Sequence, residues 1–163
     1  MMTSRCWKLG DNVSTDEIIS TRCLTLTDKD ELKRHIFKNI RPEIADKVQP
    51  GDILIAGENM GYGSSREHAP LALLGAGIKV IVACSFARLF FRNCINLGIA
   101  AITAPEAVRD ICEGDALKVD LQRGIIFNGT QRKQYRFNTF PDYIQKYLLK
   151  GGLINAINDE RPE

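Results

Sequence analysis

Five consecutive side chains, Ser64-Ser65-Arg66-Glu67-His68, put two hydroxyls, a guanidinium, a carboxylate and an imidazole into little more than one turn of chain, directly after Gly61-Tyr62-Gly63. Glycines there let the backbone turn sharply and approach a ligand closely. A guanidinium grips a carboxylate with two parallel hydrogen bonds, and a hydroxyl beside it is a candidate nucleophile or base once its charge is stabilised. The chemistry on offer is therefore anion binding or proton transfer. A second reading stands beside it: Ser64 and Glu67 fit the Ser-x-x-Glu capping box, in which both side chains merely satisfy the first N–H groups of a helix. Pro70 speaks against that register, since a proline in a helix interior costs about 3 kcal/mol. A helix starting near His68 would instead leave the Ser-Ser-Arg-Glu residues in the loop.

The flanking segments say what must position this loop. Asp52-Ile53-Leu54-Ile55-Ala56 reads as a buried strand before it, and Leu71-Ala72-Leu73-Leu74 as a helix ending at Gly75 and Gly77 after it. Residues 79–83 predict a second buried strand, Ser85 a cap for a helix over 86–97, and residues 99–102 a third strand. Strand, helix, strand, helix, strand with short connections argues for βαβ units and a parallel core sheet. Ligands of such sheets collect at the carboxyl ends of strands, where the Ser64 loop falls.

Upstream, residues 6–9 read as a first strand and 29–37 as a helix capped by Thr27 or Asp28. Residues 21–27 read as a surface loop and 39–50 as connective. The pair Asp16-Glu17 beside Ser14 and Thr15 reads equally as a functional loop or a helix cap. Downstream, residues 105–111 read as a short helix, 116–121 and 125–127 as strands, and Asn128-Gly129 as a hairpin turn leading to a strand at 134–137. A closing helix over 141–149 and a loose polar tail from 158 to 163 complete one domain spanning 1–163. The expected class is α/β, with a mostly parallel core sheet and a C-terminal antiparallel hairpin as a second β layer.

Composition removes several function classes. With 163 residues, 44% apolar and 26% charged, the chain is an ordinary globular one, and a net charge of +2 is too small to argue for nucleic acid. Apolar runs break within about ten residues, short of the roughly 20 that span a membrane. The first residues lack the apolar core of a signal peptide, so the cytoplasm is the expected location. Five cysteines, at 6, 23, 84, 94 and 112, show no Cys-x-x-Cys spacing, which argues against a disulfide framework or a local zinc or iron–sulfur site. No Gly-x-Ser-x-Gly elbow or phosphate loop is present. A hydrolase pairing Ser64 with His68 would still need a third group to orient the base.

Three stretches together resemble the aconitase family: residues 61–69, Asp11-Asn12-Val13-Ser14-Thr15-Asp16-Glu17-Ile18-Ile19, and Ser85-Phe86-Ala87-Arg88-Leu89-Phe90-Phe91-Arg92-Asn93. Within it, the chain is most similar to the branch of separate small subunits found in isopropylmalate dehydratases and homoaconitases. The likeness runs from about Trp7 to the closing helix. It implies a three-layer β/β/α swivelling domain and a partner, the large dehydratase subunit, carrying a [4Fe–4S] cluster that this chain does not bind. It also implies a reversible dehydration and rehydration of a dicarboxylic acid. Position by position, Ser64 would be the catalytic base and Arg66 the substrate-carboxylate grip. Ser65 would hydrogen-bond substrate or hold the turn, and Glu67 and His68 would support them.

Substrate choice, by the same resemblance, rests on the loop after Ile19. An arginine there suits a third carboxylate, whereas Thr25 and Leu26 suit an isopropyl group. That points to isopropylmalate and leucine biosynthesis. Cys23 stands where an aromatic residue is common in the family, and Arg22 lies close enough to serve a carboxylate, which keeps homoaconitate and dimethylmalate-type substrates open. A stand-alone carboxylate-binding module is the alternative of another class, and self-association of the isolated chain stays open.

Overall fold

The computed structural model describes residues 4–160. Four strands, β1 (Ser4–Lys8), β2 (Ile53–Ala56), β3 (Val80–Ala83) and β4 (Ala100–Thr103), pair in parallel in the order β4-β3-β2-β1. Three more, β5 (Ala116–Asp120), β6 (Ile125–Asn128) and β7 (Lys133–Arg136), continue the same sheet antiparallel beyond β1. The expected second β layer is thus hydrogen-bonded to the first. β1 serves both: Cys6, Trp7 and Lys8 pair with β2, while Ser4 and Arg5 pair with β5.

Residue alternation along β2 explains its unbroken apolar sequence. Leu54 and Ala56 join a core with Leu73, Phe90 and Cys94 from the helices, whereas Ile53 and Ile55 join a second core with Val82, Leu117, Ile126 and Tyr135. The antiparallel strands share the second core with Ala107 and Val108 of a later helix, on the face opposite Leu73, Phe90 and Cys94. A strand buried on both faces needs apolar residues at every position.

The helices are α1 (Thr15–Ile18), α2 (Lys29–Leu32), α3 (Pro42–Lys47), α4 (His68–Gly75), α5 (Arg88–Asn96), α6 (Pro105–Asp110), α7 (Asp142–Leu149) and α8 (Leu153–Asp159). Four differ from the sequence reading. The helix expected over 29–37 ends at Leu32 and passes through a single 3-10 turn. Ile36 and Phe37 are both fully buried, and the Phe37 N–H reaches the Ile18 carbonyl at 2.9 Å, a contact a continuing helix would forbid. α3 occupies the stretch read as connective; Pro42 opens it, in the position where a missing N–H costs nothing.

α5 begins at Arg88, because Ser85 is engaged elsewhere: its hydroxyl accepts from the Asn59 N–H and donates to Glu58. α8 runs through Asp159 into the expected tail, pinned by Lys150–Asp159 and Lys146–Glu160 ion pairs; residues 161–163 lie outside those described. At the β6–β7 hairpin, Asn128 pairs with Lys133, so the turn has four residues, and the Asn128 side chain accepts from the Gln131 N–H. Among the described residues, no helix is long and apolar enough to cross a membrane.

Candidate active site

Three loops leave the carboxyl ends of β1, β2 and β3 and stay paired. The middle one, residues 57–67, is held on one side by Gly57 N–H to Gly10 O at 3.0 Å, Asn12 N–H to Glu58 O at 2.8 Å and Gly61 N–H to Val13 O at 2.7 Å. On the other side Met60 N–H meets Ser85 O at 3.0 Å, and Ala87 N–H returns to Met60 O at 2.9 Å. Parallel pairing therefore extends past the sheet, with bridges Ser14 to Tyr62 and Met60 to Phe86. Gly61 has φ +82°, and a Cβ there would sit 2.1 Å from the Phe90 ring, so the turn is open only to glycine.

Thr15, 2% exposed, fixes the Ser64 end of this loop. Its N–H donates to Tyr62 O at 2.9 Å, and its Oγ1 donates to Ser64 O at 3.0 Å. The Arg66 N–H donates to the same Ser64 carbonyl at 2.8 Å. Arg66 Nη1 then reaches Asp16 Oδ1 at 2.7 Å, joining the first motif to the second across 50 residues. One pairing leaves the remaining guanidinium N–H groups for a ligand.

The capping-box question is settled by geometry. α4 starts at His68 with Glu67 at the cap and no side-chain cap bond, which puts Pro70 in the first turn. The box forms instead at Ser14: Ser14 Oγ accepts from Glu17 N–H at 3.1 Å, and Glu17 Oε2 accepts from Ser14 N–H at 2.8 Å. Ser64, Ser65 and Glu67 are exposed loop residues, and their side chains hold no helix end. Among the described residues, Glu67 and His68 form no side-chain hydrogen bond and no ion pair.

Ser64, Ser65 and Arg66 line one cavity of about 230 Å³, together with Thr15, Arg88 and Phe90. Arg22, Thr25 and Leu26 line another, of about 630 Å³, with His35 and Lys38. In the isolated chain the two groups of candidates therefore occupy different hollows. Thr15 and Arg88 were missed by sequence reasoning. A buried threonine bonding a carbonyl 49 residues away leaves no local pattern. Arg88 lies inside one of the quoted motifs, but taking Ser85 as the cap hides that it opens α5.

The residues lining the Ser64 cavity include no His, Cys, Asp or Glu and so offer no ligand set for a metal cluster. Among the described residues, no group of three His, Cys, Asp or Glu could hold a metal ion. Burial pushes the Cys6 thiol up to about 11 and raises Cys94 and Cys84 as well, so these thiols stay protonated at neutral pH.

The model for the aconitase C-terminal domain matches residues 43–107. The chain is 47% identical over 150 residues to "3-isopropylmalate dehydratase small subunit 1" of Archaeoglobus fulgidus, covering 92% of each. It is 48% identical over 151 residues to the 3-isopropylmalate dehydratase small subunit of Aquifex aeolicus, covering 92% of this chain and 90% of that one. The crystal structure of 3-isopropylmalate dehydratase from Methanocaldococcus jannaschii superposes with a TM-score of 0.90 at 39% identity, over 96% of this chain and 93% of that one.

Proposed function

Because the chain belongs to the family of 3-isopropylmalate dehydratase small subunits, we propose that it is half of a cytoplasmic hydro-lyase interconverting 2-isopropylmalate and 3-isopropylmalate in leucine biosynthesis. The observation that carries this reading is the single cavity that holds Ser64, Ser65 and Arg66 at the ends of the parallel strands. At about 230 Å³ it has room for a small dicarboxylic acid. A [4Fe–4S] cluster on that large subunit would supply Lewis-acid assistance to the departing hydroxyl.

Ser64 removes the proton from the carbon next to the one that bears the hydroxyl. Its alkoxide is the costly species, and the Arg66 guanidinium with the neighbouring loop N–H groups offsets that charge. Thr15 and the Arg66 N–H hold the Ser64 carbonyl, which fixes the residue from which the hydroxyl projects. Arg66 takes a substrate carboxylate on the N–H groups that Asp16 leaves unused, while Asp16 keeps the guanidinium from swinging away. Ser65 hydrogen-bonds the substrate at the same rim. Thr25 and Leu26 face the isopropyl group once the large subunit joins the two hollows, as the uncharged part of a wall that Arg22, His35 and Lys38 complete.

The test is Ser64→Ala combined with a cluster-loaded large subunit. Turnover should vanish while the two subunits still co-elute; retained turnover would remove Ser64 as the base.

A further inference from the structure

We infer that Arg88 is a second carboxylate-binding residue of the Ser64 cavity, acting beside Arg66. The inference deepens the proposed function and rests on it. Arg88 lines the same cavity as Ser64 and Arg66. Arg66 already has a carboxylate partner in Asp16, whereas Arg88 makes no ion pair and no side-chain hydrogen bond among the described residues. The cavity thus holds two guanidiniums against one protein carboxylate, an excess of positive charge that an incoming dianion would neutralise.

The position of Arg88 argues the same way. It is the first residue of α5, a nine-residue helix whose cap, Ala87, offers no side-chain acceptor to the first N–H groups. A cation at a helix N-terminus faces the positive end of the helix dipole and is disfavoured there. No acidic residue occupies the first turn of α5 to relieve it. An anion bound between Arg88, Arg66 and the start of α5 would remove that conflict. Arg88 also borders an outer hollow with Phe86, Arg92 and Tyr143, which makes a contact with the large subunit the rival role.

Arg88→Gln and Arg88→Lys, each assembled with the cluster-loaded large subunit, separate the two. The expected result is a KM for 2-isopropylmalate raised roughly ten- to hundred-fold in Arg88→Gln, as for a lost charge-assisted hydrogen bond, with partial recovery in Arg88→Lys and unchanged subunit affinity. Calorimetric binding of 2-isopropylmalate to the complex should weaken in parallel. A KM and a binding constant within two-fold of wild type would overturn the assignment, as would a loss of activity matched by a loss of subunit affinity. If the wild-type complex bound 2-isopropylmalate without turning it over, the dehydratase reading would fall, and weaker binding by Arg88→Gln would still uphold Arg88.

Discussion

Thr15→Val tests how the reactive loop is held. The substitution keeps the β-branched shape and removes one hydrogen bond, from Thr15 Oγ1 to the Ser64 carbonyl at 3.0 Å. Stranding a buried acceptor costs about 1–3 kcal/mol, but here the Ser64 carbonyl keeps the Arg66 N–H at 2.8 Å, so the loss sits near the lower end, about 1 kcal/mol. In a chain of 163 residues that lowers the melting temperature by roughly 2–4 °C. The effect on catalysis should be larger than the effect on stability. A reacting group displaced by about 1 Å can lose a hundred-fold in rate, and Thr15 is the tether nearest Ser64 from outside its own loop. Turnover of the assembled enzyme should fall at least ten-fold, mostly in kcat, while Thr15→Ser, which keeps the hydroxyl, stays within a few-fold of wild type. Thermal melting and steady-state kinetics on the three proteins decide it. Equal kinetics for Thr15→Val and wild type, or equal losses for both variants, would refute the idea that this hydroxyl positions the base.

Three further outcomes are expected. Gly61→Ala places a Cβ in a left-handed backbone, at ~1–2 kcal/mol, and drives it into the Phe90 ring at a further ~1–3 kcal/mol; denaturant unfolding should show a loss of at least 2 kcal/mol, and a smaller one would mean the loop relaxes freely. Arg41, bidentate on Glu113 at 2.8 and 2.9 Å, holds that carboxyl below its usual range, so the pair stabilises the fold above the unfolded-chain pKa and is lost as pH falls through the lower folded value. Because Glu113 is 41% exposed, Glu113→Gln should cost no more than about 1 kcal/mol at neutral pH and nothing once wild type is itself protonated, a convergence that acid titration of unfolding would reveal or deny. Leu26→Arg should shift preference from 2-isopropylmalate toward homocitrate in competition assays, and an unchanged ratio would take the 21–27 loop out of substrate selection.

The elements that the sequence announced were those with local causes. Apolar runs of four or five residues marked β2, β3 and β4, and Pro70 placed the start of α4 at His68, which freed Ser64 and Glu67 from a capping role. Where the cause was distant, the pattern was silent or misleading. Ile36 and Phe37 continue a helical pattern in sequence but are drawn out of it by the Ile18 carbonyl. Ser85 looks like a cap until Asn59 and Glu58 claim its hydroxyl. The site shows the same division: Ser64, Ser65 and Arg66 stand out as a dense polar run, while Thr15 and Arg88 become visible only when chain segments many residues apart meet. Arg22, Thr25 and Leu26, grouped by resemblance with the reactive loop, line a separate hollow in the isolated chain.

The central claim is that this chain is half of an isopropylmalate-isomerising site. Turnover should be measured with an anaerobically prepared, cluster-loaded large subunit, offering 2-isopropylmalate, homocitrate and dimethylmalate and following the ultraviolet absorbance of the unsaturated product. Neither subunit should be active alone, and the pair should prefer 2-isopropylmalate. Preference for homocitrate would contradict the assigned substrate, and inactivity of the assembled pair toward all three would contradict the claim itself.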